Sequence, residues 1–188
     1  PDAAMLVGYH GMSGTKKAIL DHTWSDQRVR EVSLNGKPTG EIGLNAALAA
    51  HYGVPIIALT GDQHACDEGQ NMIGAALEIA VVKNATGRFA AQCLPLAEAR
   101  EKICEAAARA VIKLREGKAP PPYKVTAPVR LAVEFVYTQH ADRAFLIPGT
   151  ERPSTSSGQA SGTRLEYTAP DMVTAHRAFR AMTMLARD

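Results

Sequence analysis

Cysteine is scarce in this chain. Cys66, Cys93 and Cys104 are odd in number and no two of them form a CxxC pair. A disulfide framework and a cysteine-built zinc site are therefore not expected, and a reducing, cytoplasmic compartment is. Long hydrophobic runs are missing as well, since none approaches the ~18 residues that a membrane span requires. Charge of one sign is also lacking: 21 Lys and Arg against 19 Asp and Glu leave a formal +2. So small an imbalance creates no field that would gather nucleic acid or an anionic membrane surface, and neither is expected as a partner. With 46% hydrophobic, 21% charged and only 5% aromatic residues, the composition is that of an ordinary folded domain, not of a collagen-like, disordered or coiled-coil chain. An initiator methionine and a secretory leader are absent too, because Pro1-Asp2-Ala3-Ala4 runs straight into an apolar segment. Either the start is processed or engineered, or an upstream piece of the protein is missing.

The 188 residues fit one domain, or one domain with a small appendage. Met5 to Tyr9 reads as a short buried strand that ends in the polar, glycine-rich stretch His10-Gly11-Met12-Ser13-Gly14. Val29 to Leu34 alternates loosely and meets Asn35-Gly36, a pair that supplies the positive φ angles of a tight hairpin turn. A hairpin over residues 29–40 follows from this. Glu41 to Tyr52 carries helical spacing with Gly53 at the C-cap position. Val54 to Leu59 is a continuous apolar run of the kind found in parallel strands buried on both faces. Asp62 to Ile73 predicts a weak helix, Leu77 to Lys83 a strand, and Pro95 to Glu116 a long helix closed by Gly117. Pro120-Pro121-Pro122 is a stiff connector and marks a subdivision near residues 117–128. Val129 to Phe135 alternates as a half-buried strand, Ser154 to Gly162 is a flexible loop by composition, and Thr163 to Thr168 is a further strand. Asp171 caps a last helix with Met172, Ala175, Phe179, Met182 and Leu185 on one face, and the Met182–Met184 end reads as core. Strands alternating with helices predict an α/β layered sandwich with no internal repeat.

The polar groups that could carry chemistry gather near the front of the chain. His10 directly follows an apolar strand, and the C-terminal edge of an open α/β sheet is where ligands and metals sit. His22 lies twelve residues on, and Glu41 opens the amphipathic helix beyond the hairpin. Two imidazoles and a carboxylate are groups that zinc accepts, and a catalytic zinc takes about three protein ligands plus an open position. Each residue also has a plain structural reading. A histidine at a strand end is commonly hydrogen-bonded, and a glutamate in a first helical turn answers the helix dipole. Spacing by itself leaves both readings open. His51 and His64 read as solvated or capping residues, and His140 and His176 are weaker candidates still. Ser13 is not in a GxSxG elbow, and Gly8, Gly11 and Gly14 lack the Gly-Lys-Ser/Thr of a phosphate loop. Cys66 beside His64 has no second cysteine within reach, so a nucleophilic pair is not expected there.

Several longer strings carry more information. Gly8-Tyr9-His10, Leu20-Asp21-His22-Thr23 and Asn35-Gly36-Lys37-Pro38-Thr39-Gly40-Glu41-Ile42-Gly43-Leu44-Asn45-Ala46 closely resemble the D-aminopeptidase family of zinc metallopeptidases associated with dipeptide-transport operons. The likeness continues in order through His51-Tyr52-Gly53-Val54-Pro55, Gly61-Asp62, Cys93-Leu94-Pro95, Glu134-Phe135, Pro148-Gly149-Thr150-Glu151 and Asp171-Met172. It implies a two-zinc aminopeptidase that releases N-terminal D-amino acids from short peptides. By that resemblance His10 and Glu41 are zinc ligands and His22 is the catalytic histidine, acting as nucleophile or general base. The family's remaining ligands lie in a Ser-x-Asp-x-Glu-Gly strand motif and an Asp-Ser-His segment, and neither occurs here. The chain is thus expected to be the C-terminal two-thirds of such an enzyme, binding zinc poorly and turning over little on its own. Where family members often carry two acidic residues after the glycine, this chain has Gly61-Asp62-Gln63. That leaves Asp62 for hydrogen bonding to a ligand histidine.

The resemblance also implies a ring-like homo-oligomer whose active sites face an internal chamber. Two further readings stand beside the peptidase. One is a related metalloamidase acting on another substrate. The other is a non-catalytic peptide-binding or assembly subunit that keeps the fold without metal.

Overall fold

The computed structural model describes residues 1–154 and 157–187. In chain order its elements are β1 (Ala4–Tyr9), β2 (Val29–Leu34), β3 (Lys37–Pro38), α1 (Glu41–His51), β4 (Ile56–Asp62), α2 (Gln63–Ile73), β5 (Glu78–Gly87), β6 (Ala90–Cys93), α3 (Leu96–Arg115), β7 (Val129–Phe135), α4 (Thr138–Ala144), β8 (Thr150–Glu151), β9 (Arg164–Ala169) and α5 (Met172–Leu185). The chain divides into two compact units. One holds Pro1–Asp21 and Ile42–Lys124, the other His22–Glu41 and Val125–Asp188.

The first unit is built on a four-stranded sheet in the order β1-β4-β5-β6. β4 runs parallel to both β1 and β5, while β6 returns antiparallel to β5. All seven residues of β4 are buried, as its unbroken apolar run predicts. Ile56 and Leu59 pack with Ile42 and Ala46 of α1, with Ala65 and Cys66 of α2, and with Leu6 and Leu77. Ile57 and Ala58 pack with Ala110 of α3, flanked by Val111 and Leu114. Helix α3 is also tied down by charge. Burial pushes the Glu78 carboxyl up, but Lys113 Nζ at 2.6 Å and Arg109 Nε at 2.8 Å outweigh it and hold the group below its ordinary value.

The second unit is an antiparallel sheet in the order β3-β2-β7-β9-β8 with α4 and α5 packed against it. Asn35 and Gly36 both take positive φ, 50° and 79°, which is the tight turn that Asn-Gly favours. The Asn35 carboxamide then spans to β7, accepting from Arg130 N at 2.7 Å and donating to Thr126 O at 2.8 Å. Val129, Leu131, Val133 and Phe135 are fully buried, as are Met182, Ala175 and Phe179 of α5. Asp171 caps α5 by accepting from Thr174 N at 2.7 Å.

Three expectations need correction. β1 is not a buried strand: it lies at the sheet edge, only Leu6 is buried, and Val7 is 62% exposed. Met184 and Leu185 at the end of α5 face outward, because the helix has turned past its apolar stripe by then. β6, α4 and β8 are additional elements whose short segments carry no readable period. Within the Ser154–Gly162 loop, residues 155 and 156 lie outside the described residues. The loop's described flanks are pinned by a Ser154–Ala160 bridge and by Arg152 donating to Ser161 O and Gly162 O at 2.8 Å. Among the described residues, no helix is long and apolar enough to cross a membrane.

The thiols test this packing. Cys66 is fully buried, and burial, with Asp62 and Asp67 adding to it, pushes its thiol up to about 12. Cys93 and Cys104 are exposed. Since the thiolate is the reactive form, a thiol reagent at about pH 8 is expected to modify Cys93 and Cys104 in the native protein and to reach Cys66 only after denaturation. Native labelling of Cys66, read by peptide mass mapping, would contradict this core.

Candidate functional site

In the second unit the structure brings His22 and Glu41 together. Glu41 opens α1, where the exposed amides and the helix dipole favour an anion. Its Oε1 accepts from the backbone N–H of Trp24 at 2.9 Å and lies 3.5 Å from Nε2 of His22. Both side chains are partly open to solvent, at 30% for His22 and 22% for Glu41. Thr23, the residue that joins the pair to Trp24, is 1% exposed and fixes the backbone. Trp24 itself takes φ 67°, a conformation costly for a bulky side chain. Three contacts hold it there. Its amide is given to Glu41, its ring meets Phe179 edge-on at 5.4 Å, and the Arg180 guanidinium stacks on its face at 4.7 Å. One turn earlier on α5, burial lowers His176 below the ordinary histidine value and the Arg180 charge adds to it, so that His176 is neutral at pH 7.

In the first unit His10 follows β1, half-buried, with its Nδ1 3.0 Å from the carbonyl oxygen of Gly11. A carbonyl only accepts, so Nδ1 carries the proton in this contact. That is the contact by which a backbone carbonyl fixes the other nitrogen of a metal-binding imidazole. The approach to His10 is set by Gly61 of β4, because any Cβ at that position would run into the Tyr9 carbonyl oxygen.

The loop beyond His10 is held by carboxylates, one of them fully buried. Asp62 is 0% exposed. Its Oδ1 accepts from Ala65 N at 2.7 Å and caps α2, while Oδ2 accepts from Ile19 N at 2.9 Å. The expectation that Asp62 orients a ligand histidine is thereby corrected: its oxygens go to backbone amides, and it shapes the loop instead. Glu68 accepts from Met12 N at 2.9 Å through Oε2, a contact with no signal in the sequence. Asp21 accepts from Gly14 N at 2.8 Å and pairs with Arg88 Nε at 3.1 Å. Of the other histidines, His51 is exposed in the last turn of α1, His64 is half-buried in the first turn of α2, and His140 is buried in α4. The capping role considered for His64 belongs to Asp62.

A family model described as D-aminopeptidase, peptidase family M55, matches residues 1–181. The chain belongs to the D-aminopeptidase family. Among D-aminopeptidases, a curated relative from Bacillus subtilis (strain 168) is 33% identical over 183 residues, 97% of this chain and 62% of its own length. A solved structure described as a Zn-dependent D-aminopeptidase, DppA from Bacillus subtilis, a self-compartmentalizing protease, superposes with a TM-score of 0.87 at 31% identity. It is matched over 98% of this chain and 63% of that one. The chain therefore spans less than two-thirds of the length of these D-aminopeptidase relatives.

Glu68 offers a pH test of the loop. Burial raises its carboxyl, Met12 N–H opposes this, and the Asp62 charge adds to the rise. A raised folded-state value means that stability from this group is full below the ordinary carboxylate range and is lost as pH climbs through the raised value. Glu68→Gln is permanently neutral, and its carbonyl still accepts from Met12 N–H. Its urea midpoint is expected to rise relative to wild type as pH climbs above the ordinary carboxylate range. A midpoint difference that does not move with pH would refute the assignment.

Proposed function

We propose that the protein is a zinc-dependent aminopeptidase that removes N-terminal D-amino acids from short peptides. The observation that carries the reading is the pairing of His22 Nε2 with Glu41 Oε1 at 3.5 Å in a chain matched to the D-aminopeptidase family over residues 1–181. His10 and Glu41 serve as zinc ligands in this reading, and His22 as the acid–base residue. The donor chemistry supports it. His10 gives its Nδ1–H to a backbone carbonyl, and the Glu41 carboxyl group accepts from a backbone amide. Imidazole nitrogen and carboxylate oxygen are ordinary zinc donors. When bound, zinc supplies a Lewis acid for the scissile carbonyl and an activated water at neutral pH.

The protein's own residues do the rest. The Trp24 amide fixes Oε1 of Glu41, and Glu41 in turn orients the His22 ring. His22 is the residue that takes a proton from water and returns it to the leaving amine, as general base and then general acid. Release of a single N-terminal residue follows if the substrate's free amine is held at the same centre. We extend the proposal to a two-zinc centre, to cytoplasmic residence consistent with three free thiols, and to a self-assembled homo-oligomer like the self-compartmentalizing relative.

The test is hydrolysis of D-alanyl-D-alanine and L-alanyl-L-alanine, with zinc content measured after dialysis. The complete enzyme is expected to retain zinc and to cleave the D-peptide preferentially, whereas the 188 residues by themselves are expected to hold zinc poorly and turn over little. His22→Ala should keep zinc and lose turnover by about a hundredfold or more, whereas Glu41→Gln should lose zinc and turnover together. Zinc-loaded protein that cleaves neither peptide would sink the reading, and faster cleavage of the L-peptide would move it to the metalloamidase alternative.

A further inference from the structure

The described arginines differ in how they are held. Arg88 pairs with Asp21, Arg109 with Glu78, Arg130 with Glu166, and Arg152 with Asp142. Arg180 is different. Its guanidinium lies on the Trp24 ring at 4.7 Å and, among the described residues, makes no hydrogen bond or ion pair. A guanidinium carries five N–H donors in a planar fork that matches a carboxylate, and stacking on indole orients that fork without using its donors. The platform is rigid, since Trp24 is fixed by Phe179 and by the amide bond to Glu41, the carboxylate that His22 faces. His176, kept neutral by burial and by Arg180, adds no second cation on that helix face.

We infer that Arg180, seated on Trp24, is the subsite for the C-terminal carboxylate of a short peptide substrate. This deepens the aminopeptidase reading and rests on it for the identity of the ligand. An extended dipeptide spans only about 7 Å, so a peptide whose amino end is at the reacting centre presents its carboxylate close by. A cation seated on the ring of Trp24, the residue whose amide holds Glu41, then selects peptides short enough to reach it. Longer chains, or peptides with a blocked carboxyl end, forgo that contact. The subsite therefore favours dipeptides and similarly short substrates over proteins.

The experiment compares D-alanyl-D-alanine with its C-terminal amide in wild type, Arg180→Ala, Arg180→Lys and, as a control on the same helix, Arg177→Ala. In wild type the free acid is expected to have a KM lower than that of the amide by on the order of tenfold. Arg180→Ala should bring that ratio near one through KM, with Arg180→Lys between and Arg177→Ala like wild type. Thermal midpoints confirm that each variant is folded. An acid-to-amide ratio equal in wild type and Arg180→Ala overturns the subsite. Should the complete enzyme cleave neither peptide, the peptidase reading falls by itself, and calorimetric binding of the same two peptides decides the subsite. A preference for the acid that Arg180→Ala abolishes sustains it, and equal binding of acid and amide by wild type overturns it.

Discussion

A fully buried carboxylate organises the front of this molecule. Asp62 sits at the junction of β4 and α2 with one oxygen on the Ala65 amide and the other on the Ile19 amide. A polar group removed from water is costly unless its lone pairs are met. Here they are met by backbone donors that would otherwise be unsatisfied, one at a helix start and one in an irregular loop. The same residue thus begins a helix and fixes where the chain lies between His10 and His22. Glu68 on the following turn of α2 repeats the device on Met12 N–H. Two side chains from one helix region thereby set the course of a loop that has no ladder hydrogen bonds of its own.

The second unit relies on a different constraint. Trp24 is held in a left-handed backbone conformation that its bulk disfavours, and only simultaneous contacts with Phe179, Arg180 and Glu41 make that conformation persist. Strain of this kind is informative because it forces the Trp24 amide toward Glu41 rather than toward a neighbouring carbonyl. The Glu41 carboxylate is then oriented by main chain, whose position varies far less than that of a side-chain partner. His22, two residues earlier, takes its orientation from the same oxygen.

Much of the fold was legible because its signals are local and strong. The apolar run of β4, the Asn35-Gly36 turn, the Asp171 cap and the glycine closures of α1 and α3 each follow from one residue's own chemistry. β1 was misjudged because an apolar pentapeptide cannot report whether it has neighbours on one side or two, and the edge is decided by the sheet order. β6, α4 and β8 span four, seven and two residues. Pairing and packing create them, and pieces that short carry no period. The candidate residues were legible by type. Asp62's true partners were not, because accepting from Ile19 N depends on a contact 43 positions away. Glu68 left no trace at all, since a glutamate in a helix looks like any solvated one until the loop above it is placed.

The longest shared string, Asn35 to Ala46, makes sense as a single geometric device. Asn35 and Gly36 reverse the chain with positive φ at both residues, and Asn35 locks the turn onto β7 through its carboxamide. Thr39 is buried and gives its amide to Val32 O, which closes the return strand. Gly40 is buried directly before the helix, and Glu41 begins it. Ile42, Leu44, Ala46 and Ala47 then bury the helix they belong to. Asn45 faces the other way and donates to the Tyr9 hydroxyl at 2.7 Å, one residue before His10. Turn, strand, helix start and packing face follow one another without a spare residue, and their common result is a carboxylate placed by backbone at a helix N-terminus. A string this long stands out because its residues answer a geometric demand that neighbours in sequence must meet together, which single ligand residues scattered along a chain do not impose.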